Sequence, residues 1–385
     1  MKNKTLLFSL CILTLPIFSQ KKITGTVVDK NTNEPIEFVD VFNGSDYTMT
    51  NEEGKFDFIT KNDSITFNFL GYKKIKTTIN QLNSDSLVVY LEPKTFDLNE
   101  VVVSNKNTAF HKMVKTIKND FSPNDFDEEF FLRTILKRND SIIKIQDLNG
   151  IINRKVLFST TENPITKKNY KVYINHMRKA AYDKDDVYFK LLGFNELLTN
   201  LVRVAISTND FIINKSFLKE DSLIKLCFKP KTNIGTNGYY ILNSDDYSLN
   251  KVHYKDSIKQ DYTIKKNIKY KTIYNELLVT FYKKETATGK YRIDNAKLKY
   301  TVECYYKNTP ISYDVTYIYK TNKDPVQNFD KKNKVSDRRD IFKIKHPFNK
   351  NYWSKNQQLK LTTEMLDFLK ELENSTSKTI TNFKN

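Results

Sequence analysis

Glycine and proline are scarce, with 9 of each in 385 residues, beside 3 cysteines, 4 histidines and one tryptophan. So few glycines and prolines exclude collagenous or linker-dominated architectures. They also leave no glycine-rich loop to cradle phosphates. Three cysteines exclude a disulfide-dense scaffold. The serine-nucleophile pattern Gly-x-Ser-x-Gly does not occur. His111, His176, His253 and His346 are far apart in sequence, and none has Glu three residues on, so the ligand spacing of a zinc peptidase is missing. Past the first twenty residues no apolar run approaches transmembrane length. The expectation is no catalytic, cofactor-binding or metal-binding residue, no cofactor and no enzymatic activity.

The chain is nevertheless rich enough to fold. Hydrophobic residues make up 39% and charged residues 28%, against wholesale disorder. The length suits two or three domains. Lys and Arg number 63 against 45 acids, a formal charge of +18. Lys2 and Lys4 precede an apolar stretch, Leu6 to Phe18, and then small Ser19. This is the three-part build of a secretory signal, with cleavage expected after Ser19. Bulky Leu10 before Cys11, and the apolar run continuing past it, disfavour lipid attachment there. Cys304 falls on the apolar face of an alternating strand, whereas Cys227 lies between Lys225 and Lys229 on a polar one. Alternate residues point to opposite faces, so two free thiols are expected.

Residues 22–92 carry about seven short strands punctuated by turns. Ile23–Val28, Phe38–Phe42, Tyr47–Thr50, Lys55–Phe58, Ile65–Phe69 and Leu87–Leu91 are the clearest. Short alternating strands at this spacing predict a β-sandwich. Gly54 is expected at positive φ in a tight hairpin, Pro35 in a turn and Gly71 at a bend.

Several pieces then occur in order: Ile23-Thr24-Gly25-Thr26-Val27-Val28-Asp29, Glu34-Pro35-Ile36, Val39-Asp40-Val41, Thr50 to Phe56, Leu70-Gly71-Tyr72-Lys73 and Leu98 to Val103. Together they resemble the carboxypeptidase-like regulatory domain, a transthyretin-like sandwich that begins many Gram-negative envelope proteins and TonB-dependent receptors. The resemblance implies a scaffold rather than chemistry. It also implies an exported protein of the periplasm or the periphery of the outer membrane.

Phe110, Met113, Val114, Ile117 and Phe121 share one helix face, and Ser122-Pro123 stops the helix. From Phe130 the pattern returns to strands: a hairpin turning at Asn139-Asp140, a strand from Tyr170 to Ile174, and a short helix over Phe194–Val204. Strands follow at Leu223–Phe228, Tyr239–Leu242, Leu249–Tyr254, 262–270, 272–283, 291–306 and 311–320. Successive long antiparallel strands favour one broad sheet. Met365, Phe368, Leu369 and Leu372 form the stripe of a last amphipathic helix over 362–372, and 374–385 are expected to fray.

The expected fold is therefore mainly β: an N-terminal immunoglobulin- or transthyretin-like sandwich, a linking helix, and a larger antiparallel sheet domain with a few helices. The expected boundaries are 1–19, 20–93, 94–124, 125–322 and 323–385.

Asp245-Asp246 reads as a turn tip rather than a calcium site or acid–base dyad. Glu128-Glu129 is equally weak as a dyad. Lys265, Lys266, Lys269, Lys271, Lys283 and Lys284 fall on outward strand faces. Lys331, Lys332, Lys334, Arg338, Arg339, Lys343 and Lys345 form the densest basic run, diluted by Asp330, Asp337 and Asp340. The 23 tyrosines suit half-buried strand positions. The expected role is a non-enzymatic envelope binding or interaction protein. Its expected partner is an envelope protein or glycan, with peripheral contact to an anionic membrane surface and no nucleic acid. Alternatives are a periplasmic carrier of lipid or lipoprotein cargo, which needs a deep apolar pocket, and a truncated relative of a TonB-dependent receptor. A hydrolase ranks last because the histidines are scattered.

Overall fold

The computed structural model describes residues 21–82, 87–95, 108–119, 126–155, 157, 170–182, 187, 189–202, 211–218, 222–232, 235–258, 261–265, 268–283, 291–322, 326, 329–355, 359–375 and 379–383. The expected leader over 1–19, the Leu98–Val103 stretch and the Ser122-Pro123 helix stop lie outside them. The chain forms two compact units: Met1–Lys94 with Trp353–Thr362, and Thr95–Tyr352 with Thr363–Asn385.

The first unit is a sandwich of seven strands: β1 (Lys21–Asp29), β2 (Asp40–Phe42), β3 (Tyr47–Met49), β4 (Lys55–Thr60), β5 (Ser64–Asn68), β6 (Ile75–Thr78) and β7 (Leu87–Leu91). One sheet runs β4-β1-β7, with β1 and β7 parallel; the other runs β3-β2-β5-β6. Val27, Phe56, Phe58 and Val89 of the first sheet meet Val41, Ile65 and Phe67 of the second in one core. Phe56 and Phe67 pack edge-to-face at 5.5 Å. The alternation that buries every second residue of β4 is the period-2 pattern of the sequence. Gly54 sits at φ +67°, where an added Cβ would meet the Val27 carbonyl at 2.5 Å, so only glycine fits this hairpin.

The stretch Trp353–Thr362, which the sequence reading assigns to the C-terminal segment, belongs to this first unit. Lys360 Nζ pairs with the Asp57 carboxylate, and Asn51 Nδ2 donates to the Leu361 carbonyl at 3.3 Å. Burial pushes the Asp57 carboxyl up, but Lys360, Lys22 and Thr24 outweigh it and hold it below its ordinary value.

The second unit begins with helix α1 (Thr108–Asn119), followed by β8 (Phe126–Arg138), β9 (Ser141–Arg154) and β10 (Tyr170–Tyr182). Helix α2 (Phe194–Leu201) precedes β11 (Phe211–Leu218), β12 (Leu223–Pro230), β13 (Thr236–Asn243), β14 (Leu249–Ser257), β15 (Thr263–Lys265), β16 (Ile268–Lys283), β17 (Tyr291–Tyr306) and β18 (Thr309–Thr321). Short β19 (Lys334–Val335), helix α3 (Thr363–Asn374) and β20 (Thr379–Thr381) complete it. The strands make one antiparallel sheet ordered β11-β12-β13-β14-β16-β17-β18-β8-β9-β10-β19, with β15 on β16 and β20 on β10. Asn139 and Asp140 both adopt positive φ, the tight two-residue turn their sequence predicts.

Two expectations need correction, and one strand goes unforeseen. Residues 262–270 and 272–283 are not two comparable strands: β15 has three residues and β16 runs unbroken for sixteen, bending at a bulge near Ile273. β11 was not anticipated at all. The tail over 379–383 does not fray, because β10 offers it an open edge: Ala180–Tyr182 pair with β20, and Phe383 is buried with its ring 4.4 Å from the Arg178 guanidinium.

One face of this sheet packs on the protein's own segments. Phe110 of α1 meets Tyr240, Phe194 of α2 meets Phe130, and Phe342 meets Tyr317. Cys227 and Cys304 are free, Cys304 buried and Cys227 half-buried, as their strand parity predicts. Among the described residues no helix is long and apolar enough to cross a membrane.

Candidate functional site

The face of the sheet opposite the helices α1 and α2 divides by what lies on it. Over β8–β10 it buries Ile135, Ile145 and Ala180, while α3 contacts β9 and β10 and buries Met365, Phe368 and Leu372. Lys137 of β8 reaches Glu364 of α3 at 2.7 Å.

Over β12–β17 the same face is polar. The registers place Cys227, Tyr239, His253, Leu278 and Lys297 in one cross-strand row, and Lys255, Glu276 and Lys299 in the next. Tyr239, Lys297 and Lys299 are half-buried and Lys255 is exposed. Lys225 Nζ lies 4.7 Å from the Tyr239 ring centre, and the Tyr239 and His253 rings meet at 5.4 Å. His253 Nε2 is 2.9 Å from Glu276 Oε1, Tyr274 donates to Glu276 Oε2 at 2.9 Å, and Lys255 stands 3.4 Å away. These partners, His253 foremost, hold the Glu276 carboxyl down at about 2 against the push of burial. Burial and the neighbouring carboxylate raise Tyr274 to about 12.

Farther along the sheet, Lys269 and Lys271 stand 4.2 and 4.4 Å from the Tyr262 ring, and Tyr262 packs against Tyr305 at 5.7 Å. The Tyr262 hydroxyl donates to Glu303, which also lies 3.8 Å from Lys271. Lys225, Lys255, Lys269, Lys271, Lys297 and Lys299 thus face Glu276 and Glu303, an excess of positive charge interleaved with aromatic rings. Each cation over a ring contributes about 0.5–1 kcal/mol at exposed sites.

Lys269 and Lys271 are on this face; the side chains of Lys265 and Lys283, and residues Lys266 and Lys284, lie outside the described set. Lys331, Lys332, Lys334, Arg338, Arg339, Lys343 and Lys345 are exposed along a segment anchored by buried Ile341, Phe342 and Ile344. Asp245 and Asp246 are an exposed turn in which Asp246 accepts from the Ser248 amide at 2.9 Å. Glu128 and Glu129 point to opposite faces of β8 and form no dyad. Glu128 is buried and takes Arg154 Nε at 3.1 Å and the Tyr319 hydroxyl at 2.7 Å, while Glu129 accepts from Asn149 at 3.0 Å. His111 is exposed, His176 stacks on Tyr352 at 3.6 Å, and His346 bonds the Pro347 carbonyl at 3.0 Å. Among the described residues no three His, Cys, Asp or Glu side chains gather to hold a metal. The His253–Glu276–Tyr274 group was missed because it depends on the register between β14 and β16. Outward alternation of Lys251, His253 and Lys255 was its available signal.

The family model of the CarboxypepD_reg-like domain matches residues 23–103. The N-terminal sandwich falls within this match from Ile23 on and is similar to that domain. Nearly all of the large sheet's unit lies beyond that match. No curated protein matches the chain. Among solved structures it is similar to the Pseudomonas aeruginosa MucA/MucB complex at 7% identity, covering 56% of this chain and 94% of that one, with a TM-score of 0.19. A Bacteroides fragilis NCTC 9343 protein of unknown function, described as membrane-associated, matches at 9% identity over 79% and 98% with a TM-score of 0.15. Lipovitellin matches at 10% over 63% and 29% with a TM-score of 0.21. Scores this low do not establish a shared fold.

Proposed function

We propose that this is a non-enzymatic, exported cell-envelope binding protein: a CarboxypepD_reg-like scaffold domain and a sheet domain whose lysine- and tyrosine-rich face holds an acidic glycan. One observation carries the reading. Among the described residues, Lys225, Lys255, Lys269, Lys271, Lys297 and Lys299 share the β12–β17 face with four tyrosines, a histidine and two glutamates, most of them half-buried in ring and ion contacts. Lysines supply long-range attraction for carboxylated or sulfated polymers, and tyrosine rings supply flat surfaces for the C–H faces of sugars. An acidic glycan fits better than a membrane, because among the described residues of these strands Ile264 is the one strongly exposed large apolar residue and offers little to insert into lipid.

A cargo carrier would need the opposite face of the sheet, which Phe110, Phe194 and Phe342 fill. A spanning barrel closes on itself, whereas this sheet has β11 and β19 at its ends among the described strands. The test is pull-down on an acidic polysaccharide, a neutral one, and anionic vesicles. Selective retention on the acidic polysaccharide supports the reading. Equal retention on the neutral polymer, or retention on vesicles alone, overturns it.

A further inference from the structure

A second polar site lies at the other end of the large sheet, where β9 ends and β10 begins. There the row Phe126, Arg154 and Tyr170 crosses three strands. Arg154 is fully buried above the Tyr170 ring, 5.4 Å from its centre. Its Nε and Nη2 both go to Glu128 Oε1, leaving Arg154 Nη1 and Glu128 Oε2 with no partner among the described residues. The Tyr170 hydroxyl, beside Arg154 and Thr199, makes no hydrogen bond of normal geometry to either. Buried polar groups are almost always satisfied, so three orphans in one cluster call for an explanation.

Tyr170 also lines a pocket of about 460 Å³, together with Lys155, Lys171, Lys334, Ser336 and Asp337. That volume is within the range of small-ligand sites, roughly 300–1,000 Å³. Lys155, Lys171 and Lys334 are exposed lining residues, and Asp337 contributes a buried carboxylate oxygen, Oδ2, with no partner among the described residues. Counting Arg154 and Glu128 behind Tyr170, four cations stand against two carboxylates.

We propose that this pocket binds a phosphomonoester carried on a hydroxylated molecule, such as a phosphorylated sugar or glycerol. Three lysines suit a tetrahedral group bearing about −1.5 to −2 charges at neutral pH better than a single carboxylate. The planar fork that would favour a carboxylate, Arg154, already gives its Nε and Nη2 to Glu128. Asp337 Oδ2 is an acceptor placed for a ligand hydroxyl, and the Tyr170 hydroxyl is a donor for a phosphoryl oxygen. No glycine-rich loop is involved: the cations are side chains.

The site is separate from the β12–β17 face, so the two fail independently. The test uses the full chain, with inorganic phosphate titrated by calorimetry against chloride at equal ionic strength. Phosphatidylcholine vesicles with and without phosphatidic acid form the second arm. The proposal expects phosphate binding above the chloride control, weakened about tenfold or more in Lys155→Gln/Lys171→Gln/Lys334→Gln and severalfold in Tyr170→Phe, with both variants still folded by circular dichroism. Lys255→Gln/Lys269→Gln/Lys299→Gln on the other face should leave phosphate affinity unchanged. Loss of phosphatidic acid binding in the pocket variant assigns the phosphomonoester to a lipid headgroup; absence of such binding assigns it to a soluble ligand. No binding above chloride, or equal weakening by both lysine triples, overturns the proposal.

Discussion

Arg133 and Asp147 stand directly opposite each other on β8 and β9 and share two hydrogen bonds, Nε–Oδ1 at 2.8 Å and Nη2–Oδ2 at 2.9 Å, with neither side chain exposed. Arg178 of β10 adds a third contact to the same carboxylate at 2.7 Å. Burial pushes Asp147 up, and the two guanidiniums outweigh it and hold it below the ordinary carboxylate value. Removing the carboxylate leaves two cations facing each other under α3 and the C-terminal strand.

Asp147→Asn is therefore expected to destabilise the large unit by about 3–5 kcal/mol in urea denaturation, the usual effect of breaking a buried pair from one side. An apolar replacement of all three residues should lose far less. A deficit under about 1 kcal/mol for Asp147→Asn would show that the triad is not structural.

The His253–Glu276–Tyr274 group predicts a pH dependence. Glu276 is held at about 2 in the fold against an ordinary 4.5. A carboxyl depressed on folding stabilises the native state above its unfolded value and loses that contribution as pH falls through the folded one. The stability difference between the native protein and Glu276→Gln should thus be full above pH 4.5 and shrink toward zero as pH approaches 2. A difference that stays constant across that window contradicts the assignment.

The C-terminal strand gives a third expectation. Phe383 is 6% exposed and covers Arg178. Truncating such an aromatic, Phe383→Ala, should destabilise by about 3–5 kcal/mol in thermal or urea melts. A change within about 0.5 kcal/mol would restore the view of a frayed tail.

How much of this was legible follows from range of interaction. Gly54, Asn139-Asp140, the α1 face and the strands of the sandwich rest on local rules, and they appear where the pattern puts them. β11 did not stand out, because Phe211-Ile212-Ile213 is a continuous apolar start without clean alternation. Glu128 reads as a solvated acid until β9 places Arg154 next to it, twenty-six residues away. Likewise Asp57 meets Lys360 across 303 residues, and β20 gains its strand from the edge of β10 rather than from its own composition. In each case register or chain return decides, and neither is written in a local window.

The account's central claim is that the β12–β17 face is an electrostatic binding surface for an acidic glycan. The most direct measurement is the affinity of the full chain for an acidic polysaccharide as a function of salt, beside Lys255→Gln/Lys269→Gln/Lys299→Gln. The account predicts affinity that falls steeply as salt rises, and a variant that binds at least about tenfold more weakly with a flatter salt dependence. Affinity indifferent to salt, or a variant that binds like the native protein, would contradict it.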